Sequence, residues 1–320
     1  MPSFSSSPSP SASETTAPLS RKPRVTWQTI GTVVQLLCTA LSIFTWQLGL
    51  WPVTILLWSP IVWLNHAALA RLHEAAHGTL VKHRLLNELH GIAIGTLALI
   101  PLSVYRYVHA RHHAHLGNER DPEFWPYNTP SASRLVRVIY AWTELIAGYV
   151  FTTVLYSVRT LRSWPIVPPS QRRRITLEWM LIITVWTLAI TIAHEQGWWP
   201  EFLVGFLIPA WLTGMFQTLR KFTEHLGMHG DTIMSMTRTV SYKGVIGKAA
   251  SLSQMHVDHH GTHHRHARIP YYDLPDATPR VYSDGNEMYL FPTHFAAMRD
   301  MLPHLLDPKL GPQWVKKTSV

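Results

Sequence analysis

The sequence predicts an all-α integral membrane protein: four transmembrane helices paired in two hairpins, with a cytoplasmic helical cap rich in histidine. Three observations carry this. The 320 residues are 47% apolar and 15% charged, against roughly 25% charged in a soluble domain. Lys and Arg are absent from 25–70 and again from 175–219, yet they crowd the flanking stretches, as at Arg21, Lys22 and Arg24, at Arg71, Lys82 and Arg84, and at Arg172, Arg173 and Arg174. This is the charge asymmetry of a multi-pass chain with its basic segments on the cytoplasmic side. The fourteen tryptophans suit membrane–water interfaces. Membrane flanks thus account for the net charge of +9, and nucleic acid is not an expected partner. Cys38, the single cysteine, lies in an apolar run, which excludes a disulfide framework and a thiolate metal site.

Taken in order, residues 1–24 are Ser/Pro-rich without apolar periodicity and are expected to be a disordered tail. They lack the apolar core of a signal peptide. Segments 27–50 and 53–70 are each apolar enough to span, turn at Trp51-Pro52, and carry Pro60 as a kink in the second. Segment 89–105 is shorter and broken by Pro101, which suits a re-entrant or interfacial element. Segment 135–160 contains Arg137, Glu144 and Arg159 and is expected at the interface. A second hairpin follows, 175–194 and 201–219, whose connection carries no basic residue. Residues 25–293 form one membrane domain. From 227 onward the chain is mostly polar, with turn signals at 271–276 and 283–286, and 294–320 is set apart as a C-terminal cytoplasmic tail.

Histidine is the candidate chemistry. Residues 256–266 (HVDHHGTHHRH) hold six of the twenty histidines. His256, His259 and His260 are spaced i, i+3, i+4, which on a helix puts three imidazoles on one face. His109, His112 and His113 repeat that spacing, His73 and His77 (HEAAH) are spaced i, i+4, and His225 follows the fourth span. Imidazole without thiolate suits iron, copper, nickel or zinc. Nine imidazoles exceed what one zinc takes and are about right for two metals. Glu74, Glu224 and Asp258 stand beside the clusters and are candidates to orient the rings from behind. His66, seven residues before His73, shares its helical face and is either such a support or an ordinary buried polar residue. His115 falls on the far side of its helix. His83, His90, His229, His194, His294 and His304 are read as unrelated to the clusters.

Three boxes in this order, HxxxH at 73–77, HxxHH at 109–113 and HxxHH at 256–260, resemble the histidine boxes of the membrane fatty acid desaturase superfamily. Residues 118–123 (NERDPE) and 269–275 (IPYYDLP) are similar to segments that follow the family's second and third boxes. The resemblance covers roughly residues 50 to 280. It implies a centre of two non-haem irons held by His73, His77, His109, His112, His113, His225, His256, His259 and His260, with His225 the extra ligand near the fourth span. It also implies dioxygen as co-substrate, a lipid acyl chain as substrate, an external electron donor of the ferredoxin or cytochrome b5 type, and desaturation as the reaction. Between His260 and Pro270 the link GTHHRHARI is longer and more basic than the family's, which leaves the roles of His263, His264 and His266 open.

Other readings share some of these residues. The same scaffold could carry a hydroxylase or ketolase acting on a lipid or carotenoid. HEAAH also fits a zinc intramembrane protease, with Glu74 as general base, but that leaves both HxxHH clusters unexplained. A histidine-rich metal-handling membrane protein would need ionisable residues along its spans, where only His66 and Glu178 qualify.

Overall fold

The computed structural model describes residues 25–282 and 289–315; the expected tail at 1–24 and the turn at 283–286 lie outside them. The described chain is helical almost throughout. Helices α1 (Val25–Gln47) and α2 (Trp51–His77) form the first hairpin. Gly49 supplies the left-handed turn residue, φ 74°, and Pro52 sits in the first turn of α2, where its missing N–H costs nothing. Gly78, φ 76°, ends α2 with its N–H on the Ala75 carbonyl, a left-handed C-terminal cap. The last turn of α2 therefore stops just after His77.

Helices α3 (Arg84–Leu97) and α4 (Leu102–His115) are bent by 98° at the break between them, the element expected to be re-entrant or interfacial. Pro101 precedes α4 and Leu99 takes φ 60°. Gly95 is needed there, since a Cβ on it would stand 2.4 Å from the Ile100 carbonyl oxygen.

Segment 135–160, expected at the interface, is a single helix α5 (Arg134–Arg162) with a kink at Ala147. Ser133 caps it by accepting from the Val136 N–H. Its buried residues Arg137, Ala141, Glu144 and Gly148 are spaced three or four apart, so one stripe faces inward. The second hairpin is α6 (Pro169–Glu195) and the run Trp199–His225, which comprises α7 (Trp199–Phe202), a π-helical turn (Leu203–Leu207) and α8 (Ile208–His225), and the stripe of α5 packs against α8. The charges of α5 are paired inside: Glu144 accepts from the Tyr127 hydroxyl at 2.9 Å and pairs with Lys221. By length and composition five helices could cross a membrane, or six if the bent α3–α4 pair counts as one crossing. Leu36, Leu56, Ile183 and Leu188 project outward from these helices, as side chains facing lipid do.

The cap adds α9 (Val245–Ser253), α10 (His260–Arg265), α11 (Leu274–Val281) and α12 (His294–Met301), plus a two-residue parallel pair of Thr239–Val240 with Leu290–Phe291. The stretch set apart as a tail packs inward up to the last described residues. Met301, Leu305 and Leu310 join Phe124, Tyr127 and Phe222 in one buried cluster. Pro303 and Pro308 interrupt the segment, so its sequence carries no long helical period that would announce this packing.

Helices α5 and α8 touch through glycine. A Cβ on Gly214 would meet the Tyr149 backbone nitrogen at 2.3 Å, and one on Gly148 the Gly214 carbonyl oxygen at 2.6 Å; small residues let helices approach this closely. Gly214→Ala should lower stability by about 1–3 kcal/mol. A thermal-unfolding midpoint in detergent equal to that of the parent chain would contradict this packing.

Candidate metal centre

Helix ends bring the histidines together. His73 and His77 occupy the last turn of α2, His109, His112 and His113 the last turns of α4, and His225 the end of α8. The third contribution comes from α10, which begins at His260 and not at His256. Residues 254–258 form a turn, and Met255 and His256 take φ 59° and 50°, so the helical face expected over 256–260 does not exist. The i, i+3, i+4 spacing recurs from His260, through His263 and His264, and this copy is helical.

Two imidazole groups result. In the first, His73, His77, His109, His113 and His263 each place a ring nitrogen within 4.8 Å of the others. Nε2 of His113 is 3.1 Å from that of His109 and 3.2 Å from that of His263. In the second, His260 Nε2 lies 2.7 Å from His225 Nε2 and 3.1 Å from His264 Nε2, and His264 Nε2 is 3.3 Å from His112 Nε2. The two HxxHH helices split in opposite senses. His109 and His113 serve the first group and His112 the second, whereas His260 and His264 serve the second and His263 the first.

Buried acceptors hold the rings from behind. His109 Nδ1 is 2.9 Å from Glu123, His112 Nδ1 is 2.8 Å from Asp121, and His225 Nδ1 is 3.0 Å from the Met236 carbonyl. Looser pairs at 3.4 Å join His73 Nδ1 to Glu74 and His260 Nδ1 to Glu224, which also pairs with Arg220. Carbonyls and carboxylates only accept, so Nδ1 carries the proton in His109, His112 and His225; in the neutral rings of His109 and His225 each Nε2 then presents a lone pair, and His112 offers one once its second proton leaves. Facing lone pairs repel, and His73 and His77 add buried Nε2 atoms without hydrogen-bond partners. A cation in each group turns that repulsion into coordination, so the donor sets fit metal ions. Burial foremost, then neighbouring imidazoles and Arg220, holds His260 well below the ordinary imidazole pKa; burial and neighbouring imidazoles do the same for His263 and His264. They are neutral, as ligands must be.

The remaining expected residues fall elsewhere. His256 and His259 form a separate buried group with Asp258, and Asp258 accepts from Ser251 and supports no imidazole of the two main groups. His66 meets Gln254 at 2.5 Å and the Phe216 ring, outside both groups. Glu74 Oε2 is engaged by the Thr79 hydroxyl at 2.7 Å and the Tyr271 N–H at 3.3 Å, a support's position and not that of a protease base. His115 and His266 join neither group. Sequence reasoning missed His263 and His264 as group members and Asp121 and Glu123 as supports. The signal was there: the HxxHH pattern occurs twice, overlapping at His260, and the second copy shortens the interval to Ile269-Pro270 to four residues, 265–268.

A cavity of about 490 Å³ opens onto both groups. Its wall includes His73 and His109 from one and His112, His225 and His260 from the other. From there it is lined by Ala93, Ile94 and Leu97 of α3, Gly148 and Tyr149 of α5, and Phe206 and Ala210 near the π-helical turn. Gln28, Gln35, Asn65 and Arg71 add a polar portion between α1 and α2.

The sequence model of a family described as fatty acid desaturase matches residues 45–296, more than three quarters of the chain. An sn-1 acyl-lipid omega-3 desaturase (ferredoxin) of Nostoc sp. (strain 36) is 23% identical over 252 residues, 70% of this chain and 67% of that protein. A protein of the same name from Synechocystis sp. (strain ATCC 27184 / PCC 6803 / Kazusa) is 27% identical over 112 residues, 33% of this chain and 30% of that one.

Supports behind metal-bound histidines typically contribute 10–100-fold in metal affinity. Glu123→Ala, which strips His109 of its acceptor, should therefore release metal at a chelator concentration about 10–100-fold lower than the parent. Superimposable release curves would remove Glu123 from the centre.

Proposed function

Since the chain belongs to the fatty acid desaturase family and is an enzyme of that type, we propose that it introduces a double bond into the acyl chain of a membrane lipid, using dioxygen and two non-haem irons. His73, His77, His109, His113 and His263 hold one iron, and His112, His225, His260 and His264 the other. His263 and His264 thus take the places expected for His256 and His259. The irons supply the oxidising power that cleavage of an unactivated C–H bond demands.

The observation that carries the reading is the shared wall: imidazoles of both groups border one cavity that continues between apolar helices. Its volume lies within the usual range for a site that buries a small ligand, about 300–1,000 Å³. Ala93, Ile94, Leu97 and Phe206 hold a methylene chain against the histidine wall and exclude water from it. Gln28, Gln35, Asn65 and Arg71 offer hydrogen bonds to the ester end of a lipid. Asp121, Glu123, Glu74 and Glu224 keep the rings in place while the chain is positioned.

Four crossings, α1, α2, α6 and the run 199–225, put the basic flanks and the histidines on one side, which we take as cytoplasmic. Helix α5 is basic at both ends, at Arg134 and Arg137 and at Arg159 and Arg162, so a fifth crossing would leave arginines on both faces. Electrons come from a separate carrier. The names of both relatives specify ferredoxin, which favours that donor over cytochrome b5.

Mass spectrometry of lipids from a host supplying ferredoxin, expressing the parent chain beside His263→Ala, tests the reading. Only the parent should yield acyl chains lighter by two hydrogens. A product that gains oxygen would replace desaturation by hydroxylation or ketone formation, and an active His263→Ala would refute the ligand set.

A further inference from the structure

We propose that α9 is a membrane-surface helix whose first turn, at Val245 and Ile246, inserts among the lipids of the leaflet nearer the cap. Val245 is 84% exposed and Ile246 87%, more than any other large apolar side chain among the described residues. Both stand at the start of a nine-residue helix. Water is a poor neighbour for such a pair.

What covers them follows from where α9 is tied. The Trp63 indole donates to the Ser253 hydroxyl at 2.9 Å, and Gln254 Nε2 donates to the Trp63 carbonyl at 3.0 Å. Gln254 also meets His66. Trp63 and His66 belong to α2, which is long and apolar enough to cross a membrane. At 1.5 Å per residue Trp63 lies about 18 Å along α2 from Trp51 and about 21 Å from His77. The C-terminal end of α9 therefore lies against the embedded part of α2 and not beyond its end. Nine helical residues extend about 14 Å, which keeps Val245 and Ile246 within reach of the same leaflet. The lipid that covers outward residues of α2 such as Leu56 continues over α9.

The other end of α9 is fixed too. The Tyr242 hydroxyl bonds His294 Nδ1 at 3.0 Å, and a Cβ on Gly247 would stand 2.4 Å from the Tyr242 ring. The exposure of Val245 and Ile246 is thus built into the fold. Charge points the same way. Lys243 and Lys248 flank the pair and are exposed, and no Asp or Glu occurs between Asp231 and Asp258. Lysine stems lie along apolar surface while their ammonium heads reach outward. An apolar tip between lysines suits an interfacial helix on a leaflet that contains anionic lipid.

This rests on α2 crossing the membrane, and the experiment keeps the two readings apart. In the full chain carrying Cys38→Ser, the single-cysteine variants Ile246→Cys and Leu56→Cys are labelled with an environment-sensitive fluorophore. They are placed in bilayers of phosphatidylcholine mixed with phosphatidylglycerol. Both labels should lose fluorescence to doxyl groups carried on the lipid and be shielded from aqueous iodide. An Ile246 label open to iodide, beside a shielded Leu56 label, overturns the proposal. An Ile246 label shielded from both quenchers marks a protein contact and overturns it as well. A Leu56 label open to iodide would instead remove the crossing of α2, and the proposal with it. Val245→Cys repeats the measurement should Ile246→Cys fail to fold. Lys243→Glu together with Lys248→Glu should lower the lipid quenching at Ile246; undiminished quenching would refute the part given to the lysines.

Discussion

The position of the Nδ1 proton on each buried imidazole is the constraint on which the rest of the molecule depends. Where Nδ1 donates to Glu123, Asp121 or the Met236 carbonyl, Nε2 is left to face its neighbours as a lone pair. Rings held in this way cannot converge in a dry interior unless positive charge joins them. The helices, the cap and the buried carboxylates can then be understood as what brings repelling groups within reach and keeps them there. The supports are themselves fixed: Asp121 also accepts from the Gly117 and Glu123 N–H groups at 3.0 Å each.

The two HxxHH helices show how little sequence is needed to build two sites. On each, the first and third histidines of the pattern point to one group and the middle one to the other. A pair of short helices facing one another thus cross-links both groups, and neither can shift without disturbing the other. The cavity meets the groups at this seam, so a ligand lying in it would contact rings from both. Long apolar helices beneath the seam supply a water-poor environment and at the same time the surface that lipid covers.

Much of this was legible in the chain. The hairpins, the His73–His77 and His109–His113 boxes, and His225 follow from apolar length, basic flanks and helical spacing, which are local properties. What misled was also local: HVDHH and HGTHH are equally good helical patterns sharing His260, and periodicity alone does not choose between them. The choice is made by a turn at 254–258 whose left-handed residues, Met255 and His256, carry no turn signature in their side chains. Helix α5 was expected at the interface because of Arg137, Glu144 and Arg159. Glu144 is in fact neutralised by Lys221 on α8, 77 positions away, a partner no window of sequence reveals. Asp121 and Glu123 were visible as residues, but their role needs the angle between the 117–128 segment and α4.

That segment is held from far downstream. Gln313 Nε2 donates to the Gly117 and Asn128 carbonyls at 3.0 and 2.7 Å, the Leu310 N–H and the Trp314 indole both bond the Tyr127 carbonyl, and 196 positions separate Gln313 from Gly117. During synthesis, helices α1 to α4 leave the ribosome long before residues 310–314. The second box is therefore made early but clamped late. Until residues 310–314 are in place, the segment that carries Asp121 and Glu123 lacks the hydrogen bonds that fix it behind His109 and His112.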